Sequence, residues 1–174
     1  MEIYQKNLNW LIIINFLINF ENMKGFATFH IPVQPYVQKF LTAKYGECYQ
    51  LSQNEFLGMI LIPFFSKEVK IIKKTDIRDS VKTELYPVSV SFTFFDRQGC
   101  YLSHAQLRTI GRTLDKYFRE MLFNHVLIYS QTHQTGFKKC IIDFCELHQI
   151  TQKEINPESL YRDFQRKKND FVLV

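Results

Sequence analysis

The chain reads as an α+β, helix-rich protein: short strands packed on helices, a long central helix and a C-terminal helix-turn-helix-like pair. Three observations predict this class. The segments "GFATFHIPV" and "ELYPVSVSFTFF" alternate apolar with polar or small residues, the period-two pattern of half-buried strands. The stretch from Ala105 to Gln131 repeats apolar residues at helical spacing for its whole length. After Gly136 two further amphipathic segments are separated by a short, well-punctuated connection. At 174 residues the chain can bury a core without disulfides.

Each element has a local cause. In residues 1–22 the apolar run "NWLIIINFLINF" is shorter than the ~18–20 residues of a membrane span, and it lacks a basic flank and a small-residue cleavage site. Its restriction to a few residue types suggests a non-native extension, with the working start at Met23. A membrane-surface or partner-binding helix and an ordinary packed helix are the other readings. "GFATFHIPV" predicts a short strand with Phe26, Thr28 or Phe29, and Ile31 inward, ended by Pro32. Pro35 opens a helix whose stripe is Tyr36, Val37, Phe40 and Leu41, stopped by Gly46. Ser52 with Glu55 reads as a capping box opening a buried helix, "NEFLGMILIPFF", stopped or kinked at Pro63. Lys67 to Lys82 reads as a charged surface connection or a mobile loop. From Glu84 to Phe95 the chain then alternates Leu85, Val88, Val90, Phe92 and Phe94 with polar or small residues for most of its length, the pattern of a half-buried strand, and "DRQG" turns the chain.

Ser103, with Gln106 three residues on, caps the long helix. Its buried stripe is Leu107, Ile110, Leu114, Tyr117 or Phe118, Met121, Leu122 and Val126, with Arg108, Arg112, Lys116 and Arg119 on the other side. Phe137, Ile141, Phe144, Cys145 and His148 mark one side of the next helix. Thr151 with Glu154 gives another capping-box pattern, and Asn156 followed by Pro157 predicts an N-cap and a first helical residue. In the last helix Leu160, Tyr161 and Phe164 face inward, and Leu160 and Phe164 pin it against Phe137, Ile141 and Phe144. Arg162, Gln165, Arg166 and Asn169 share one outward sector. The domains expected are the extension 1–22, an α+β core with the long helix over 23–135, and the helical pair over 136–170.

The segments "HIPVQPYVQKFLTAKYG", "FLGMILIPFF" and "IIDFCELHQITQKEINPESLYRDFQRKK" resemble a family of small, functionally unassigned proteins carried by bacterial phages and mobile elements. The likeness runs from about Phe29 to Lys168. It implies a mobile-element context in a bacterial cytoplasm and supplies no catalytic or binding residue.

Function is read from the charge. The balance of 22 Lys+Arg against 17 Asp+Glu, formally +5, favours anionic partners. In the last helix, long donors on one face and an apolar opposite face are what groove reading requires. The candidate DNA-binding residues are Lys138 and Lys139 near phosphates, Arg162, Gln165 and Arg166 toward the groove, and Lys167 and Lys168 beside them. Cations near a helix C-terminus also compensate the macrodipole, so a solvated helix end is the competing reading. An enzyme is not expected, because no phosphate-cradling glycine loop, nucleophile motif or carboxylate pair stands out. His30 and His125 read as structural, and the basic run Lys70 to Lys74 as a solvated edge. Cys140 and Cys145 lie ~140° apart on a helix and read as buried thiols beside His148, not as zinc ligands. No metal, cofactor or membrane is expected. The alternative to a DNA binder is a non-enzymatic protein-protein interaction or virion-associated protein, with a protein partner or a homodimer.

Overall fold

The computed structural model describes residues 25–65, 83–99 and 102–172. The suspected start at Met23, the apolar N-terminal run, the charged connection 67–82 and the Lys70 to Lys74 run lie outside the described residues. In chain order the elements are β1 (Phe26–Val33), α1 (Pro35–Tyr45), β2 (Tyr49–Gln50), α2 (Phe56–Leu61) with a 3-10 turn (Ile62–Phe64), β3 (Glu84–Ser91), α3 (Phe92–Gln98), α4 (His104–His133), α5 (Phe137–Leu147) and α6 (Pro157–Val172). The class is α+β and helix-rich, as expected.

β1 and β3 pair antiparallel, with Phe29 opposite Val88, and the two-residue β2 adds to β3 in parallel, giving the order β1-β3-β2. The parity of β1 is set by Ala27, Phe29, Ile31 and Val33, all buried, so Phe26 falls on the opposite face. Pro32 does not end the strand: β1 is an edge, where a missing N–H costs no ladder bond, and pairing runs on through Val33. β3 tolerates Pro87 because pairing with β2 begins only at Val88. Tyr86, Val88 and Val90 are its buried face, and Leu85 is 57% exposed, contrary to expectation. The strand pattern also runs too far. Ser91 accepts a hydrogen bond from the Phe94 amide at 3.3 Å and caps α3, so Phe92 to Phe95 and the first three residues of "DRQG" are helical.

The capping box expected at Ser52 is not formed. Ser52 Oγ accepts from the Asn54 amide, and Glu55 is the N-cap of a short α2 without a side-chain bond. That helix is peripheral rather than central, with Leu57 and Leu61 buried and Phe56 and Met59 more than half exposed. α1 follows its predicted stripe, and Gly46 stops it at φ 87°, a backbone that L side chains rarely adopt.

α4 is the spine. Its capping box is complete: the Gln106 amide donates to Ser103 Oγ and the Ser103 amide to Gln106 Oε1. α4 lies on β1, and at Gly111 the approach is so close that a Cβ would stand 2.7 Å from the Pro32 carbonyl oxygen. Toward α1 and α5 it meets an aromatic core, with Phe118 ring centroids 5.5 Å from Phe40 and 5.9 Å from Phe144.

Candidate nucleic-acid interface

The C-terminal pair is built by local caps and one tertiary tie. Glu154 accepts from the Thr151 amide at 2.7 Å and from Thr151 Oγ1, and it pairs with Lys39 Nζ of α1 at 2.9 Å. Lys39 also donates to the Gln149 carbonyl, which fastens the α5–α6 connection to α1. Burial works against the charge of Glu154, but the Thr151 amide and Lys39 hold its carboxyl below the ordinary range. Asn156 Oδ1 accepts from the Glu158 amide at 2.8 Å, so the predicted N-cap is present and Pro157 is the first helical residue.

Leu160 and Phe164 are buried as expected. Phe164 lies 5.0 Å from Phe137 and, unforeseen, 5.2 Å from Phe123 of α4. Phe144 belongs to the other side of the core, where it meets Phe40, Phe118, His125 and His148. Opposite the buried strip, Arg162, Arg166 and Asn169 are exposed at i, i+4 and i+7, with Gln165 half-buried beside them.

The candidate cations differ in their company. Lys138 pairs with Glu158 at 2.8 Å, and Arg166 with Asp163 at 2.6 Å. Lys167 pairs with Glu120 of α4 and lies 4.4 Å from the Phe123 ring centroid, turned into the α4–α6 seam. Lys168 stands 4.4 Å from the Phe137 ring centroid. Among the described residues, Lys139 and Arg162 make no ion pair. Asp163 also accepts from Arg119, which holds Asp115, itself hydrogen-bonded by Tyr36 Oη at 2.7 Å. Arg119, placed with the solvated cations of α4 by spacing alone, is thus a half-buried member of a chain of charges linking α1, α4 and α6. Burial and Asp115 push the Tyr36 phenol well up.

Beside this network runs a groove of about 390 Å³ between α4 and α6. Its floor is Leu122, Phe123, Leu160 and Phe164, and its rim includes Lys116, Glu120 and Lys167. The pairing of Lys167 with Glu120 and of Arg119 with Asp163 could not be found from the sequence, because it depends on the seating of α6 on α4, where Phe123 meets Phe164. Arg108, Arg112 and Lys116 were marked by their spacing, and the structure leaves all three exposed.

Elsewhere, Cys140 and Cys145 are buried free thiols, and burial pushes Cys145 up to about 11. Among the described residues no group of three or more His, Cys, Asp or Glu is placed to hold a metal ion. His30 is half-buried, on the sheet face away from Phe29 and Ile31, and stands opposite Pro87. His125 packs between Tyr129 and Phe144, and burial lowers its pKa. No helix among the described residues is long and apolar enough to cross a membrane.

No family model matches the chain, and neither a curated protein nor a solved structure is significantly similar to it. The resemblance to phage and mobile-element proteins rests on the quoted segments alone.

Proposed function

We propose that the chain is a non-enzymatic duplex-DNA-binding protein, an accessory in the regulation or replication of a phage or mobile element, acting through its C-terminal helical pair. The observation that carries this reading is the placement of Arg162 and Arg166 on one exposed side of a helix whose other side is held by Leu160 and Phe164. A fixed roll and fixed entry let long donors meet phosphates or base edges reproducibly. The pairing of Arg166 with Asp163 and of Lys138 with Glu158 does not remove these cations. Exposed pairs of this kind are weak because solvent and salt screen them, so a phosphate can displace the carboxylate.

Replacing both Arg162 and Arg166 with Ala is expected to weaken duplex binding and to reduce the slope of log K against log salt by about two. A side chain that reads guanine would, in addition, relax specificity at one base pair at a cost of ~1–3 kcal/mol. Titration by fluorescence anisotropy at several salt concentrations measures both. Unchanged affinity in the double variant would refute the assignment.

A second reading is that of a protein-protein interaction or virion-associated component. The apolar floor of the α4–α6 groove and the exposed Ile128, Ile142 and Leu147 favour it. Absence of duplex binding by the intact chain even at ~50 mM salt would select it over the first.

A further inference from the structure

We infer that the outward stripe of α4, Arg108, Arg112 and Lys116, is a second contact surface for double-stranded DNA, a rail that grips the phosphate backbone beside α6. The inference rests on the duplex-binding reading above and extends it to an element outside the C-terminal pair.

Four observations carry it. All three side chains are exposed, and among the described residues none has an anionic partner. The nearby carboxylates of the same helix are committed elsewhere: Asp115 to Tyr36 and Arg119, Glu120 to Lys167. Like charges at i, i+4 and i+8 repel, and among the described residues no ion pair relieves this repulsion. Phosphates would relieve it.

The spacing is also regular and the support is rigid. Four residues of helix rise ~6 Å, so the three heads form a line ~12 Å long. The opposite side of the same turns is locked by buried Ile110, Leu114 and Phe118, by the Ser103 capping box, and by the close contact of Gly111 with the Pro32 carbonyl. A line of charge on a backbone that cannot bend away leaves only the side-chain rotamers to be ordered on binding.

The reading that accounts for cations near the end of α6 does not extend here. Arg166, Lys167 and Lys168 stand toward a helix C-terminus, where positive charge is favoured by the macrodipole. Arg108 and Arg112 stand in the N-terminal third of a 30-residue helix whose first turn has no acidic residue, where the dipole gives cations nothing. Their presence is not explained by helix stability. Finally, Lys116 lines the same groove as Lys167, so the stripe reaches α6 instead of lying on a remote face.

The experiment uses the full chain and a random-sequence duplex of ~25 base pairs, followed by anisotropy across a salt series. Arg108→Gln with Arg112→Gln is expected to reduce the slope of log K against log salt by about two, and adding Lys116→Gln by about one more, at ~0.9 per phosphate contact. The control, Arg97→Gln with Lys153→Gln, removes the same charge from exposed sites elsewhere and is expected to leave the slope unchanged. Circular dichroism melts establish that every variant is folded.

If the stripe variants keep the wild-type slope while Arg162→Ala with Arg166→Ala loses affinity, the rail is wrong and the α6 reading stands. Equal losses in stripe and control variants would mean that net charge alone binds DNA, which also overturns the rail. If the intact chain binds no duplex, both readings fall. A stripe-dependent affinity for polyglutamate without any for duplex would replace DNA by an acidic protein.

Discussion

α4 and α6 each carry a row of cationic side chains, and the rows differ in what the fold puts beside them. Arg166 and Lys167 of α6 have carboxylates within reach, from Asp163 of the same helix and Glu120 of α4. Arg108, Arg112 and Lys116 of α4 have none among the described residues. The difference teaches that a count of cations along a segment measures charge, whereas availability to a partner is decided by what packs alongside. Of the two helices, the one more densely cationic is the better neutralised.

The most severe way to break the contrast is Phe164→Ala. This buried ring seats α6 against Phe123 and Phe137, and its loss is expected to cost ~3–5 kcal/mol. Urea unfolding measures the cost. With α6 unseated, the Lys167–Glu120 and Arg119–Asp163 pairs are lost, while the α4 stripe keeps its support from Ile110 and Leu114. A loss below ~1 kcal/mol would show that α6 is not held by this ring.

A milder change sharpens it. Asp163→Asn removes the carboxylate shared by Arg119 and Arg166 and leaves Arg119 with Asp115. The stability change is expected to be ~1 kcal/mol or less, since both partners are partly exposed. Duplex affinity should rise, because Arg166 is released and one negative charge is removed. A fall in affinity would mean that Asp163 orients Arg166 for contact.

The smallest effect is a dependence on pH that separates the two sides of α4. On the α5 side, burial, with His125 and Lys44 adding to it, lowers the pKa of His148, and burial lowers that of His125. The unfolded chain therefore binds more protons just below pH 6.5, so stability is full above that pH and declines as the pH falls through it. The carboxyls that tie down α6 also shift downward, but from a lower starting value. Lys138 lowers Glu158, and despite burial Thr151 and Lys39 lower Glu154, so their contribution is lost only below about pH 4.5. Urea midpoints are expected to fall between pH 7.5 and 5.5 in the wild type, and less so in His148→Phe. An equal fall in both would exclude His148 as a source.

Much of the architecture was legible because its causes are local. The Ser103–Gln106 box, the Asn156–Pro157 start, the Gly46 stop and the stripes of α1 and α4 follow from a few adjacent residues and the helical period. The misreadings have one tertiary cause and two local ones that the pattern hid. Pro32 stays in a strand because β1 is an edge, and Phe92 to Phe95 leave the strand pattern because Ser91 caps a helix. Ser52 fails as a cap because α2 begins only after Glu55.

The candidate site divides in the same way. Periodicity alone placed Arg162 and Arg166 outward on α6 and Arg108, Arg112 and Lys116 outward on α4, since a helix sets the direction of every side chain once its buried stripe is known. Which carboxylates Lys167 of α6 and Arg119 of α4 meet was decided by the packing of α6 on α4. Phe123 and Phe164 lie 41 residues apart in the chain, and their contact brings Glu120 to Lys167 and Asp163 to Arg119. Ion pairing acts over a few ångströms of space, and no local pattern encodes which distant carboxylate will fill them.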